Sequence, residues 1–224
     1  VRGASKGEGL GNQFLSHIRS TDALVHIVRC FDDDDVSHVE GRIDPVSDIE
    51  IIQTELALAD IQTLDKKISR YEKLARSDKQ SKIILKMLQE LSQHLQDLSP
   101  ARTFSLKPYL KDCPEIERAY LDLHLMTAKQ SLYVCNVDDL MSDEELNNNT
   151  YVTAVSNLAK KEGSESLILC GKIEEELSQM DSSDQKEMLD DLNMKEPGLN
   201  RLARQCYRLL GLSTYFTAGE KEIR

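Results

Sequence analysis

Two apolar stripes with a heptad step, joined by a short polar break, constrain this chain more than any other feature. Ala57, Ile61, Leu64, Ile68, Tyr71 and Ala75 recur at alternating steps of four and three, the spacing that lines one face of an α-helix. The pattern breaks at Ser77-Asp78-Lys79, resumes as Ile84, Leu88, Leu91, Leu95 and Leu98, and stops at Pro100. Two such stripes on so short a turn bury each other only by folding back antiparallel. An arm of about 30 residues then reaches roughly 45 Å. Ser47-Asp48-Ile49-Glu50, with serine at the cap and glutamate three residues on, reads as a capping box that opens the first helix.

Outside the hairpin the periodicity changes. Gln13 to Arg19 reads as a short helix, and Ala23 to Phe31 as an apolar, β-branched strand covered on both faces, ending in the solvated run Asp32 to Asp35. Pro114 opens a helix to about Leu123. Ser131-Leu132-Tyr133-Val134-Cys135 is a buried strand, and Ser142-Asp143-Glu144-Glu145 is a second capping box opening a helix to about Lys161. Ser166-Leu167-Ile168-Leu169-Cys170 is a further strand, followed by helix from Ile173 to Met180. Strand and helix alternating at this spacing predict an α/β fold, with a mostly parallel sheet and helices on both faces, in addition to the helical hairpin.

Bulk properties narrow the function classes. A chain of 224 residues with 40% hydrophobic and 30% charged content supports a packed core and is not disordered. No apolar run approaches the roughly 18 residues needed to cross a bilayer, so no membrane partner is expected. The cysteines Cys30, Cys113, Cys135, Cys170 and Cys206 are scattered without C-x-x-C spacing, as buried thiols in a reducing cytoplasm would be. A net charge of -11 argues against nucleic-acid binding by the chain as a whole, and DNA is not an expected partner.

In parallel sheets, ligands bind outside the carboxyl ends of the strands. One predicted strand ends in Asn136-Val137-Asp138-Asp139, an Asn-x-x-acid pattern of the kind that reads a nucleotide base; by itself it fits a turn equally well. The next ends in Cys170-Gly171-Lys172, suited to a second base-side loop. The opening Gly3-Ala4-Ser5-Lys6-Gly7-Glu8-Gly9-Leu10-Gly11 is rich in glycine, but its spacing fits neither a Walker loop nor a dinucleotide fingerprint. A mobile segment is the better reading of it.

These residues reach a family. Gly3 to Leu15 resembles the segment just after the D-x-x-G switch motif of the YchF/Obg-like ATPases. So do His26-x-Val28-Arg29-Cys30-Phe31, Thr54-Glu55-Leu56-Ala57-Leu58-Ala59-Asp60, and the tail from Glu196-Pro197-Gly198-Leu199-Asn200-Arg201 through Thr214 to Gly219. The resemblance implies a translation-associated P-loop NTPase with a coiled-coil arm inserted into its nucleotide domain. It implies residues 1–46 and 128–224 as that domain and 47–127 as the arm. It also implies a phosphate loop, magnesium ligands and the D-x-x-G motif upstream of Val1, and a TGS domain downstream of Arg224.

Carried over by the resemblance, Asn136 and Val137 are adenine-side contacts and Asp139 holds the fourth motif position, with Cys170, Gly171 and Lys172 as the second base-side element. The family usually has glutamate at the fourth position, too long for the paired contact that selects guanine. Asp139 departs from that pattern, while Val137, where a GTPase has lysine, points to ATP. The implied cofactors are ATP, or GTP, with Mg2+, and K+ as a further candidate. His38 aligns with a family histidine that would orient the attacking water; an idle surface histidine is the competing reading, and His26, inside a strand, reads as structural. The ribosome is the implied partner of a cytoplasmic monomer.

The arm carries charge of the opposite sign to the whole. From Lys66 to Lys86 stand Lys66, Lys67, Arg70, Lys73, Arg76, Lys79, Lys82 and Lys86 against only Glu72 and Asp78. A solvated helix surface explains such a run; the sign reversal favours a phosphate-rich partner, ribosomal RNA for this family. Two functions follow: an ATP-hydrolysing switch whose arm engages the ribosome, or a non-catalytic adapter acting through its coiled coil.

Overall fold

The computed structural model describes residue 3 and residues 11–32, 43–138 and 148–215. His38, Asp139, the run beyond Asp32 and the capping box Ser142 to Glu145 lie outside the described residues. A parallel three-stranded sheet in the order β1 (Ala23–Arg29), β2 (Gln130–Val137), β3 (Glu165–Cys170) forms the centre. Val28 stands opposite Cys135, and Val137 opposite Cys170, so the three carboxyl ends finish side by side. The chain between β1 and β2 holds α1's partner in packing, the long helix α2 (Pro45–Leu74), and its return α3 (Lys79–Gln96); α1 itself (Gly11–Arg19) precedes β1. Two short helices follow, α4 (Lys107–Leu110) and α5 (Ile116–Leu121). Beyond β2 come α6 (Thr150–Lys161), α7 (Gly171–Gln179), α8 (Ser182–Asp191) and α9 (Gly198–Leu209).

The hairpin forms as its periodicity demands. Leu64, Ile84, Leu88, Leu91 and Leu95 share one cluster with Ile61, Ile68 and Tyr71 packed against it. Each fully buried leucine there contributes roughly 2 kcal/mol by leaving water. The two helices do not bury each other alone: Tyr109, Cys113, Ile116, Leu123 and Leu125, from the segment after Pro100, complete the same cluster. Leu98 departs from the predicted stripe. It lies past the end of α3 with φ of 57°, and is 58% exposed.

Two expectations are corrected. The cap of α2 is Asp44, not Ser47: Pro45 fixes the first helical position, and the Asp44 carboxylate accepts from Ser47 N at 3.0 Å. Strand β1 is not covered on both faces among the described residues, since Val25 is 41% and Ile27 65% exposed. Alternation is the reason. Val28 points toward α2 and α6, in a cluster with Ile49, Tyr133 and Val155, whereas Val25 and Ile27 point to the opposite face. On that face Leu202, Cys206 and Leu209 of α9 cover Leu132, Val134 and Leu167, which belong to β2 and β3.

His26 sits where a structural histidine was expected, its ring 6.0 Å from that of Tyr133. Burial holds its pKa below the ordinary 6.5, opposed in part by Asp48. The unfolded chain therefore binds the proton first. The stabilisation is whole above pH 6.5 and is lost as pH falls from there through the folded value. The melting temperature should drop further between pH 7.5 and 5.5 in the native protein than in His26→Phe; equal drops in the two would refute the assignment.

Candidate functional site

The site is built where β2 and β3 end. Parallel pairing sets Asn136 opposite Leu169, with Val137 beside Cys170, so the residues just past both strands share one edge. Helix α7 begins at once after β3, so Gly171 and Lys172 form its first turn and are not a free loop. Cys170, at the cap position, makes no side-chain capping bond. Asn136 supplies that bond from the neighbouring strand: its Oδ1 accepts from Gly171 N at 2.9 Å. A Cβ on residue 171 would lie 3.1 Å from the same Oδ1, so glycine lets the bond close without crowding.

Asp138 receives two more contacts. The Cys170 thiol donates to its carbonyl at 3.4 Å, and the Lys172 ammonium forms an ion pair with its carboxylate. Lys172 is mostly exposed in this arrangement. Val137 is 2% exposed with its side chain in the sheet core, so only its main chain faces the edge. At the end of β1, Cys30 N donates to the Asn136 carbonyl at 2.8 Å. The Arg29 guanidinium lies 4.8 Å from the Phe31 ring centre, and Tyr151 donates to Asp32 at 3.1 Å. The three strand ends are thus cross-linked through Asn136. The edge presents the Asn136 amide, the positive end of α7, and a lysine paired with a nearby carboxylate.

The fold also gathers the arm residues. Lys66, Lys67, Arg70 and Lys73 lie on the last turns of α2, Arg76 in the connecting turn, and Lys79, Lys82 and Lys86 on the first half of α3. All are exposed except half-buried Lys67, so the positive surface is available to a partner. Lys86 pairs with Glu90 at 3.6 Å. Asp78, one of the two acids in the stretch, is spent as the cap of α3, accepting from Ser81 N at 2.8 Å.

Four residues that sequence reading passed over hold the junction of arm and sheet. Glu162, at the end of α6, accepts from Arg102, from the Tyr133 hydroxyl at 2.8 Å and from Gln53 Nε2 at 2.9 Å. Arg102 and Glu162 are each 8% exposed. Beside this network lies a cavity of about 230 Å³, bordered by Gln53, Thr54, Thr103, Thr127, Lys161 and Glu162 among others. On α2, Asp60 is wholly buried and accepts from Met126 N at 3.0 Å, Thr127 N at 2.8 Å and the Thr127 hydroxyl at 2.7 Å. Among the described residues no cluster of three or more His, Cys, Asp or Glu could hold a metal, and no helix is long and apolar enough to cross a membrane.

No family model matches the chain. Known proteins do. The ribosome-binding ATPase YchF of Bacillus subtilis is 43% identical over 226 residues, covering 100% of this chain and 60% of that protein. The protein of the same name from Escherichia coli O157:H7 is 42% identical over 225 residues, 59% of its length. The chain therefore spans about three fifths of the length of these relatives. A solved structure, that of the Schizosaccharomyces pombe YchF GTPase, superposes with a TM-score of 0.79 at 30% identity, over 100% of this chain and 59% of that one. Similarity along the whole chain and the match in fold agree: the chain is homologous over its full length to the YchF ribosome-binding ATPases and shares the fold of a YchF GTPase.

Proposed function

We propose that the chain forms the base-reading side and the arm of a ribosome-associated, nucleotide-hydrolysing switch that uses ATP. The observation that carries this is the bond from Gly171 N to Asn136 Oδ1, which ties both strand-end elements into one polar edge. Asn136 braces that edge, the main chain at Val137 and the first turn of α7 line the base, and Asp139 stands at the discriminating position. The relatives named above are called ribosome-binding ATPases, which supports both the nucleotide and the partner. On this reading residues 47–127 are the arm domain, and the phosphate loop and magnesium ligands belong to the further length that the relatives have. His38 would orient the attacking water, and the eight basic residues of the arm would meet ribosomal RNA.

In the intact protein, Asn136→Ala should weaken ATP binding by tenfold or more, because the cap of α7 and the brace are lost together. Unchanged affinity would remove this edge from the site. Arm binding to ribosomes should fall steeply with salt, as phosphate contacts do, and scarcely depend on RNA sequence. A GTP-preferring protein is the second reading, favoured by the aspartate at 139 and by the solved neighbour's being called a GTPase. Competition of ATP against GTP at equal concentration decides between them.

A further inference from the structure

A switch needs a path to the arm, and contacts that Gly3 and α1 make at the root of α2 provide one. Gly3 N donates to Glu55 Oε1 at 2.6 Å, and Glu55 is 8% exposed. A carboxylate this buried on a largely apolar helix face is costly unless donors meet it. Farther along, Arg19 Nη2 donates to Thr63 Oγ1 at 3.3 Å, and Leu15 and Ile18 pack with Ile52, Leu56 and Ala59. Gly3 and α1 therefore each meet α2, Gly3 at Glu55 and α1 through an apolar seam that ends at the Arg19–Thr63 bond.

A second set of bonds closes this into a ring. Lys129 Nζ donates to the carbonyls of Ile18 at 2.9 Å and Arg19 at 2.8 Å, and to that of Thr21, so it caps the carboxyl end of α1. Lys129 follows directly on the turn that Asp60 of α2 grips through Met126 and Thr127. From α2 the chain of contacts passes through Asp60, the turn and Lys129 to α1, and returns to α2 by the apolar seam. None of these groups belongs to the strand-end edge.

We propose that Glu55 and Lys129 are positioning residues that lock α1 and the Gly3 end of the glycine-rich segment to the first arm helix, so that nucleotide state reaches the arm as a displacement of α2. This rests on the switch reading above. A purely structural role would affect folding alone; a coupling role appears in linkage between two ligands.

The test uses the intact natural protein, with ribosome affinity measured by sedimentation in ADP and in a non-hydrolysable ATP analogue. The native protein should bind ribosomes at least tenfold differently in the two nucleotides. Glu55→Ala and Lys129→Met should shrink that ratio to below twofold, with analogue affinity unchanged within twofold. Glu55→Gln, whose amide oxygen still accepts from Gly3 N, should keep the native ratio. A native ratio in Glu55→Ala overturns the proposal and leaves the switch standing. A native protein with no ratio overturns the switch, and the proposal with it. If Lys129→Met fails to fold, the Glu55→Ala and Glu55→Gln pair decides alone.

Discussion

Glu162→Ala should lower the stability of the fold by about 3–5 kcal/mol, the usual effect of breaking a buried ion pair from one side. Arg102 would keep its charge in a site where it is 8% exposed, and its Nε already has no partner among the described residues. The Tyr133 hydroxyl and the Gln53 amide, which meet on the same carboxylate, would each lose their shared acceptor. At roughly 2–4 °C per kcal/mol for a chain of this size, the melting temperature should fall by about 10 °C. Arg102→Met should cost about as much. The double variant Arg102→Met with Glu162→Leu should recover most of the loss, because neither charge is then stranded. Urea unfolding of the four proteins measures this. Losses that simply add would mean that the pair does not interact across the junction.

The second large effect is expected at Asp60. Asp60→Ala removes the acceptor of two main-chain N–H groups and one hydroxyl, all in a site shut off from water. At about 1–3 kcal/mol for each buried group left unpaired, the loss should be at least about 3 kcal/mol. Asp60→Asn should cost less, since one amide oxygen still accepts. Hydrogen exchange at Met126 and Thr127 localises the effect: their amides should lose protection in Asp60→Ala well before those of β2. If both exchange as in the native protein, the carboxylate is not what holds the turn.

How legible this was depended on the range of the interactions. The hairpin could be read because Ile61, Leu64, Leu88 and Leu91 repeat a local period, and period alone dictates which face is buried. The parallel sheet followed from strands alternating with helices. Asn136 was identifiable from its place at a strand end. Its work as the cap of α7 was not, because the partner lies 35 residues away and Cys170 gives no sign that it needs help. The cap of α2 was misread by three residues because Ser47-Asp48-Ile49-Glu50 satisfies the local pattern, while Pro45 and Asp44 satisfy a stronger constraint. The carboxylates of Glu55 and Asp60 did leave a trace: they bracket the apolar run Leu56 to Ala59 in the first half of the helix. Gln53, Arg102, Tyr133 and Glu162 left none. They come from four separate elements, and each is an ordinary residue for its position.

Helix α2 runs unbroken through 30 residues, with its only proline at the first position and no glycine. Ile49 at its start belongs to the sheet core, and Leu64 farther on belongs to the core of the arm. One continuous helix is thus shared by the core of the sheet and by the core of the arm. From Asp60 to the turn at Ala75 is about 22 Å of helix. A tilt of about 10° at the root would carry the basic tip ~4 Å sideways. With neither proline nor glycine along that length, the helix is a lever: a small tilt at the root becomes a displacement of a whole side chain's width at the far end.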